Sequence, residues 1–128
     1  MTGIQPQLWV DHPPDAIAFY RGAFGATVVH QAGEGEDIVA QLAVGVACFW
    51  VANTDPSRGR LSAAAIGGGT SRTLLVTGDP DTVISAARAA GATVTSPAAD
   101  EHGWRLGRIT DPFGHYWEIG TPIGPWPP

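Results

Sequence analysis

Residues 8–28, LWVDHPPDAIAFYRGAFGATV, and residues 74–94, LLVTGDPDTVISAARAAGATV, decide the fold because they are two copies of one pattern. The second copy starts 66 positions after the first, and nine of the 21 aligned positions are identical. The pairing resumes later with one extra residue, where Phe49-Trp50 aligns with Tyr116-Trp117. A repeat of this length indicates paired supersecondary units that complete a common core.

Each copy has the pattern of a βαβββ module. In the first copy, Gln7-Leu8-Trp9-Val10 predicts a strand, and Pro13-Pro14-Asp15 predicts the start of a helix, where a missing N–H and a negative charge are both tolerated. Gly25 predicts the left-handed end of that helix. Further strands are predicted at 27–30, 37–44 and 46–52. In the second copy, strands are predicted at 73–77, 92–95, 105–110 and 115–120, and a helix is predicted at 80–90.

The repeat divides a single domain of 128 residues into module one (4–54), a linker (55–71), module two (72–121) and a proline-rich tail (122–128). The linker is rich in Gly, Ser, Ala and Pro, and no lysine follows its glycines as a phosphate-binding loop requires, so a flexible connection is expected. Asp111-Pro112-Phe113-Gly114 has the residues of a type I turn between the last two strands. The expected fold class is therefore α+β with tandem βαβββ modules.

Composition excludes several classes of function. The single cysteine, Cys48, rules out an internal disulfide. All seven basic residues are arginine, so lysine Schiff-base chemistry is excluded. The formal net charge of -5 argues against nucleic-acid binding and mildly favours neutral or cationic partners. No stretch has the apolar length of a membrane span or the pattern of a signal peptide, so a cytoplasmic protein without a membrane partner is expected.

The stretch 108–118, RITDPFGHYWE, is the most specific sequence feature. Together with AIAFY at 16–20, AFGA at 23–26 and the repeat, it resembles the vicinal oxygen chelate superfamily, and it is most similar to the glyoxalase/bleomycin-resistance branch. The superfamily also includes extradiol dioxygenases and fosfomycin-resistance enzymes. The resemblance covers nearly the whole chain. It implies two modules that form a cupped mixed sheet with helices on its outer face, usually in a homodimer.

The resemblance also implies four positions for the ligands of a divalent metal, one on the first strand and one on the last strand of each module. In this sequence they fall on Gln5, Val51, Ser71 or Arg72, and Glu118. Gln5 and Glu118 can offer oxygen ligands, whereas Val51 cannot ligate and Arg72 repels a cation. A bound metal is therefore not favoured, and any divalent ion would be held by Gln5 and Glu118.

Period-two alternation along the strands predicts which side chains face the cup. If Glu118 faces it, the same face carries Gln5, Gln7, Trp9, Phe49, Val51, Arg72, Leu74, Val76, Tyr116 and Gly120. The opposite face, beneath the helices, would carry Leu8, Val10, Cys48, Trp50 and Trp117. Trp9 is then the best candidate for an aromatic contact with a ligand, and Trp104, in a glycine-flanked loop, is the next.

Two functions follow from these residues. The first is metal-independent binding of a small molecule, as in drug- or metabolite-sequestering members of the family, with ligand contacts at Gln5, Gln7, Trp9, Phe49, Val51, Trp104 and Tyr116. The second is a lyase, isomerase or ring-forming enzyme in which Glu118 is a general base and Arg72 stabilises an oxyanion. In a metal-dependent form of that enzyme, His102 or water would complete the shell of Gln5 and Glu118. A plain ion pair between Glu118 and Arg72 is the structural alternative.

Overall fold

The computed structural model describes residues 1–126, which form two four-stranded sheets and two helices. Pro127 and Pro128, the end of the predicted tail, lie outside the described residues. The elements are β1 (Gln7–Val10), α1 (Pro13–Phe24), β2 (Thr27–Ala32), β3 (Val39–Val44), β4 (Ala47–Asn53), β5 (Arg72–Val76), α2 (Pro80–Ala89), β6 (Thr93–Glu101), β7 (Trp104–Thr110) and β8 (Tyr116–Pro122). This order confirms the α+β class and the tandem βαβββ modules.

The two sheets have the same topology. Their strand orders are β1-β4-β3-β2 and β5-β8-β7-β6. In each sheet the first strand of the module runs parallel to the last, and the other pairs are antiparallel. The last strand of each module, β4 or β8, therefore has a neighbour on both sides, so its side chains lie in the middle of the sheet.

The helix limits follow the predicted signals closely. Two prolines begin α1, and Gly25, with a φ of 67°, ends it in the left-handed conformation. Asp79 caps α2 by accepting a hydrogen bond from the backbone N–H of Thr82 at 3.2 Å. Neither helix in residues 1–126 is long and apolar enough to cross a membrane.

Four strands, β2, β6, β7 and β8, are longer than predicted. β6 continues to Glu101, beyond the predicted end at Thr95, because the next strand, β7, pairs with it across a two-residue turn as far as Trp104. β8 includes Thr121 and Pro122, although the sequence assigns Pro122 to the tail. The parallel neighbour β5 ends at Val76, which pairs with Gly120 of β8. Pro122 lies beyond that pair, so its missing N–H leaves no hydrogen bond to β5 unmade.

The core lies between the helices and the covered faces of both sheets. Tyr20 of α1 is at its centre, and its ring is within 5.1–6.3 Å, centroid to centroid, of Phe19, Phe24, Phe49, Phe113 and Trp117. Phe113 and Trp117 belong to module two, so one aromatic cluster joins the two modules. Clusters of this kind contribute beyond the area they bury, by about 0.5–1.5 kcal/mol per ring pair.

A buried carboxylate, that of Asp111, is the polar centre of this cluster. Asp111 is only 3% exposed to solvent. Oδ1 accepts hydrogen bonds from the backbone N–H groups of Phe113 and His115 at 2.9 and 3.0 Å. Oδ2 accepts from the Tyr20 hydroxyl and from Trp117 Nε1. The backbone N–H of Gly114 donates to the Asp111 carbonyl at 3.1 Å, as the predicted turn requires.

The middle of the linker packs against module two. Ser62 and Ala63 are buried, and the backbone N–H of Gly68 donates to the Ala63 carbonyl at 2.9 Å. Gly68 has a φ of 146°, and the Tyr116 hydroxyl occupies the space that a Cβ would need. The glycine-rich run therefore serves to bring the backbone against Tyr116.

We expect Tyr20→Phe to lower the free energy of unfolding by about 1–3 kcal/mol, because it removes one donor from a buried carboxylate. Urea unfolding at pH 7–8 measures this loss. Tyr116→Phe is the matched control, since Tyr116 lies at the surface, and we expect a change within about 0.5 kcal/mol.

The Tyr20→Phe variant also tests how the free energy of unfolding depends on pH. Burial first, and then the neighbouring Asp111 charge, raise the pKa of Tyr20 well above its ordinary value of 10.0. Below pH 10 the folded and unfolded states are both protonated, whereas above it only the folded state keeps the proton. The free energy of unfolding should therefore fall as the pH rises past about 10, and it should fall less steeply in Tyr20→Phe. An identical alkaline slope in both proteins would contradict this assignment.

Candidate functional site

Each sheet has one face covered by helix and one open face. In module two, Trp117 and Ile119 of β8 are buried in the core. Glu118 lies between them in the strand and therefore projects from the open face. It stands opposite Leu74 of β5 and Arg108 of β7 in the strand register, so these three positions share that face.

Glu118 is at the centre of an ion-pair network on this open face. Its Oε2 atom lies 3.0 Å from Arg108 Nε and 3.2 Å from Arg72 Nη2, and its side chain is 13% exposed. Arg108 Nη2 also lies 2.7 Å from Glu101 Oε1, and this hydrogen bond raises the pKa of Arg108 above its ordinary value. Two carboxylates thus hold two guanidinium groups in fixed positions. The predicted contact between Glu118 and Arg72 is present, but the sequence reasoning missed Arg108 and Glu101.

Module one has an uncharged counterpart of this network. Gln5 Oε1 accepts hydrogen bonds from Trp50 Nε1 at 2.7 Å and from Gln41 Nε2 at 3.0 Å. Trp50 stands opposite Gln7 and Gln41 in the register, just as Glu118 stands opposite Leu74 and Arg108. Gln5, Trp50 and Gln41 therefore occupy the positions that Arg72, Glu118 and Arg108 occupy in module two.

The prediction for the faces of β4 is wrong. Phe49 and Val51 were expected on the cup face, but they are 6% and 0% exposed and belong to the core. Trp50 and Cys48, expected beneath the helix, lie on the open face. The cause is the alignment of Phe49-Trp50 with Tyr116-Trp117, which is one residue out of register, and a shift of one residue turns every side chain of a strand over.

The remaining residues predicted to contact a ligand lie at different places on the open faces of the two sheets. Gln7 and Trp9 lie on the open face of β1, as the alternation predicts, and the Trp9 carbonyl lies 2.9 Å from His115 Nε2. Trp104 stands opposite Pro122 at the far end of the open face of module two. Its ring is 5.0 Å from that of Trp126, which the sequence left unassigned. Tyr116 stands next to Arg72 in the register of β5 and β8.

Two cavities adjoin these residues. A cavity of about 350 Å³ on the open face of module two is lined by Gly69, Thr70, Ser71, Arg72, Thr95, Arg108, Ile109, Thr110, Tyr116 and Trp117. A second cavity, of about 340 Å³, is more apolar and lies where the modules meet. Its lining includes Gln5, Cys48, Phe49, Leu74 and Trp117. The first cavity brings two arginines together with several hydroxyl groups, which suits recognition of a polar small molecule.

Comparisons with known proteins agree with this architecture. The family model described as "Glyoxalase/Bleomycin resistance protein/Dioxygenase superfamily" matches residues 4–119. An uncharacterized protein of Mycobacterium tuberculosis is 32% identical over 126 residues, which is 94% of this chain and 74% of that protein.

Solved structures with the same fold come from distant organisms. A gene product of Arabidopsis thaliana is 28% identical with a TM-score of 0.73, and the match covers 93% of this chain and 98% of that one. The fosfomycin resistance protein FosX of Listeria monocytogenes, solved with Mn(II) and 1S,2S-dihydroxypropylphosphonic acid, is 14% identical with a TM-score of 0.69. That match covers 98% of this chain and 93% of the other. At such low identity the likeness to FosX concerns the fold alone.

The assignment of the two faces of β4 can be tested by substitution. We expect Val51→Ala to lower the free energy of unfolding by about 2 kcal/mol, because it removes a fully buried side chain from the core. Cys48→Ala, on the open face of the same strand, is the matched control and should cost less than about 1 kcal/mol. Denaturant unfolding measures both. Equal losses would contradict the placement of these residues on opposite faces.

Proposed function

This chain belongs to the Glyoxalase/Bleomycin resistance protein/Dioxygenase superfamily, and we propose that it binds a small molecule on its open sheet faces without a metal ion. One observation carries the proposal. The resemblance implied metal-ligand positions at Gln5, Val51, Ser71 or Arg72, and Glu118. The corrected register of β4 puts Trp50 in the place of Val51, and the polar groups of Gln5, Trp50, Arg72 and Glu118 are bonded within each module.

These residues do not fit a divalent metal. FosX, which shares this fold, was solved with Mn(II), so we judge these residues as possible ligands of a divalent ion of that kind. The Trp50 indole N–H is a donor only, and Arg72 is a cation. Gln5 Oε1 already accepts two hydrogen bonds, and Glu118 Oε2 faces two guanidinium groups. Residues 1–126 also contain no group of three or more His, Cys, Asp or Glu side chains placed to hold a metal.

The open faces offer aromatic and polar contacts for an organic ligand. Trp9 and Trp50 provide indole rings on module one, and Tyr116 provides a phenol beside Arg72 on module two. Gln7 and Trp104 stay proposed contacts at the margins of these faces. A cavity of about 350 Å³ is within the range of small-molecule sites, about 300–1,000 Å³.

Catalysis by Glu118 as a general base is less well supported. Both arginines that contact Glu118 approach the same atom, Oε2, and stabilise its negative charge. We therefore assign Glu118 the role of fixing the arginines.

We also propose that the protein forms a homodimer. Leu74 and Val76 of β5 are apolar and exposed. Ile4, before β1, and Val46, in the turn between β3 and β4, are also exposed and line the second cavity together with Leu74. Exposed apolar groups that cluster beside a cavity are typical of association surfaces. Light scattering on the purified chain would give its mass in solution, and a monomer at micromolar concentration would contradict this part.

Tryptophan fluorescence against a panel of aromatic and heteroaromatic natural products tests the proposed binding. For a compound that binds, Trp50→Ala should weaken the affinity by about tenfold, because a stacking surface is lost. Ile66→Ala is the matched control, since Ile66 is 58% exposed and lies outside the linings of both cavities. A pure binding function would be contradicted if no compound of the panel formed a stable complex and one of them were converted to a product.

Metal independence has a separate test. Elemental analysis of untagged protein should find less than about 0.1 equivalent of Mn, Fe, Ni or Zn, and added Mn(II) should leave the melting temperature unchanged, because an ion that binds the folded state raises it. A stoichiometric ion that is lost in Glu118→Ala would overturn this proposal.

A further inference from the structure

The cavity of about 350 Å³ on module two has a lining opposite in charge to the whole chain. The formal net charge of the chain is -5. The cavity is nevertheless lined by two arginines, Arg72 and Arg108, and by no Asp or Glu among the described residues. Five hydroxyl side chains complete its polar lining: Thr70, Ser71, Thr95, Thr110 and Tyr116.

The carboxylates that compensate the arginines lie outside this lining. Glu118 contacts Arg72 at 3.2 Å and Arg108 at 3.0 Å, and Glu101 contacts Arg108 at 2.7 Å. They hold the two guanidinium groups at the cavity without entering it. This arrangement resembles a preorganised site, in which the cost of ordering the binding groups is met before a ligand arrives.

Arg72 keeps binding capacity of its own. Its contact with Glu118 uses Nη2, and its side chain is 48% exposed. A guanidinium group has five N–H donors in a planar fork, which matches the two oxygens of a carboxylate or two oxygens of a phosphate. Hydroxyl groups around it can donate to the remaining oxygens.

The packed linker also contributes to this cavity. Gly69, Thr70 and Ser71 line it, and Gly68 is held against the Tyr116 hydroxyl. The wall is therefore formed by backbone that the glycines bring close, and the hydroxyl groups of Thr70 and Ser71 come from the same segment. Module two alone, with the linker, supplies every residue of the lining.

We propose that this cavity binds the oxyanion group of an anionic small molecule, a carboxylate or a tetrahedral phosphate or phosphonate, with Arg72 as its main donor. The proposal rests on the small-molecule binding proposed above and specifies the charge of the ligand. It reverses the preference for neutral or cationic partners that the net charge of the chain suggests, because the lining of a site acts on its ligand at shorter range than the distant acidic surface does.

Benzoate, phenylphosphonate and neutral benzamide test the proposal as matched probes. Their dissociation constants are measured by tryptophan fluorescence, and the binding site is located by the Arg Nε–Hε signals in NMR spectra. At least one anion should bind about tenfold more tightly than benzamide and shift the Arg72 signal. Comparison of benzoate with phenylphosphonate identifies the preferred oxyanion.

Variants locate the effect. Arg72→Gln should abolish the preference for the anion, and Arg72→Lys should keep part of it, since it restores a charge without the planar fork. Arg21→Gln, at an exposed position on α1, is the matched control and should keep the full preference. Melting temperatures of all variants check that they are folded.

Several outcomes would overturn the proposal. Equal affinity for benzamide and both anions would do so and leave the binding function intact. An anion preference that survives Arg72→Gln would place the anion elsewhere. Failure of all three probes, while a neutral panel compound binds at Trp50, would likewise reject an anionic ligand. Failure of every compound in both experiments would reject the binding function itself.

Discussion

The candidate site depends on the buried carboxylate of Asp111. An uncompensated buried charge is costly, and Asp111 is stabilised because four donors surround it. Two of them are backbone N–H groups of its own turn, and a third is the Tyr20 hydroxyl of the other module. The carboxylate therefore fixes the turn between β7 and β8 and holds it against α1. The position of this turn sets the register of β7 and β8, in which Arg108 stands opposite Glu118.

A common frame carries different chemistry in the two modules. In each sheet, one residue of the last strand lies between two polar residues from the neighbouring segments. Trp50 and Gln41 both donate to Gln5 in module one, and Arg72 and Arg108 both contact Glu118 in module two. Module one has an indole between two amides, whereas module two has a carboxylate between two guanidinium groups. The two sheets thus share their topology, while their open faces carry different side chains. A fold shared with metal-binding relatives does not determine the chemistry at such positions.

Features determined by nearby residues could be predicted from the sequence. The helix from Pro13 to Phe24 and the turn at Asp111 depend on local proline, glycine and acidic residues, and both are present. The face of β4 depends instead on its pairing with β1 and β3. Phe49 and Trp50 are both aromatic, so hydrophobicity does not distinguish the buried from the open side. The end of β6 at Glu101 likewise depends on its pairing with β7 and not on the residues of β6 alone.

Arg108 shows where more could have been inferred. Five residues, 111–115, separate the paired strand ends, so Thr110 meets Tyr116 and Arg108 meets Glu118. A four-residue loop at 111–114 would instead pair Arg108 with Trp117. The turn residues therefore leave two registers open, and both bring Arg108 within one residue of Glu118. The hydrogen bonds of Gln5 had no such signal, because no turn joins β1 to β4. The turn of a hairpin therefore indicates which charged residues come close across it, whereas its exact register and the contacts between parallel strands need the structure.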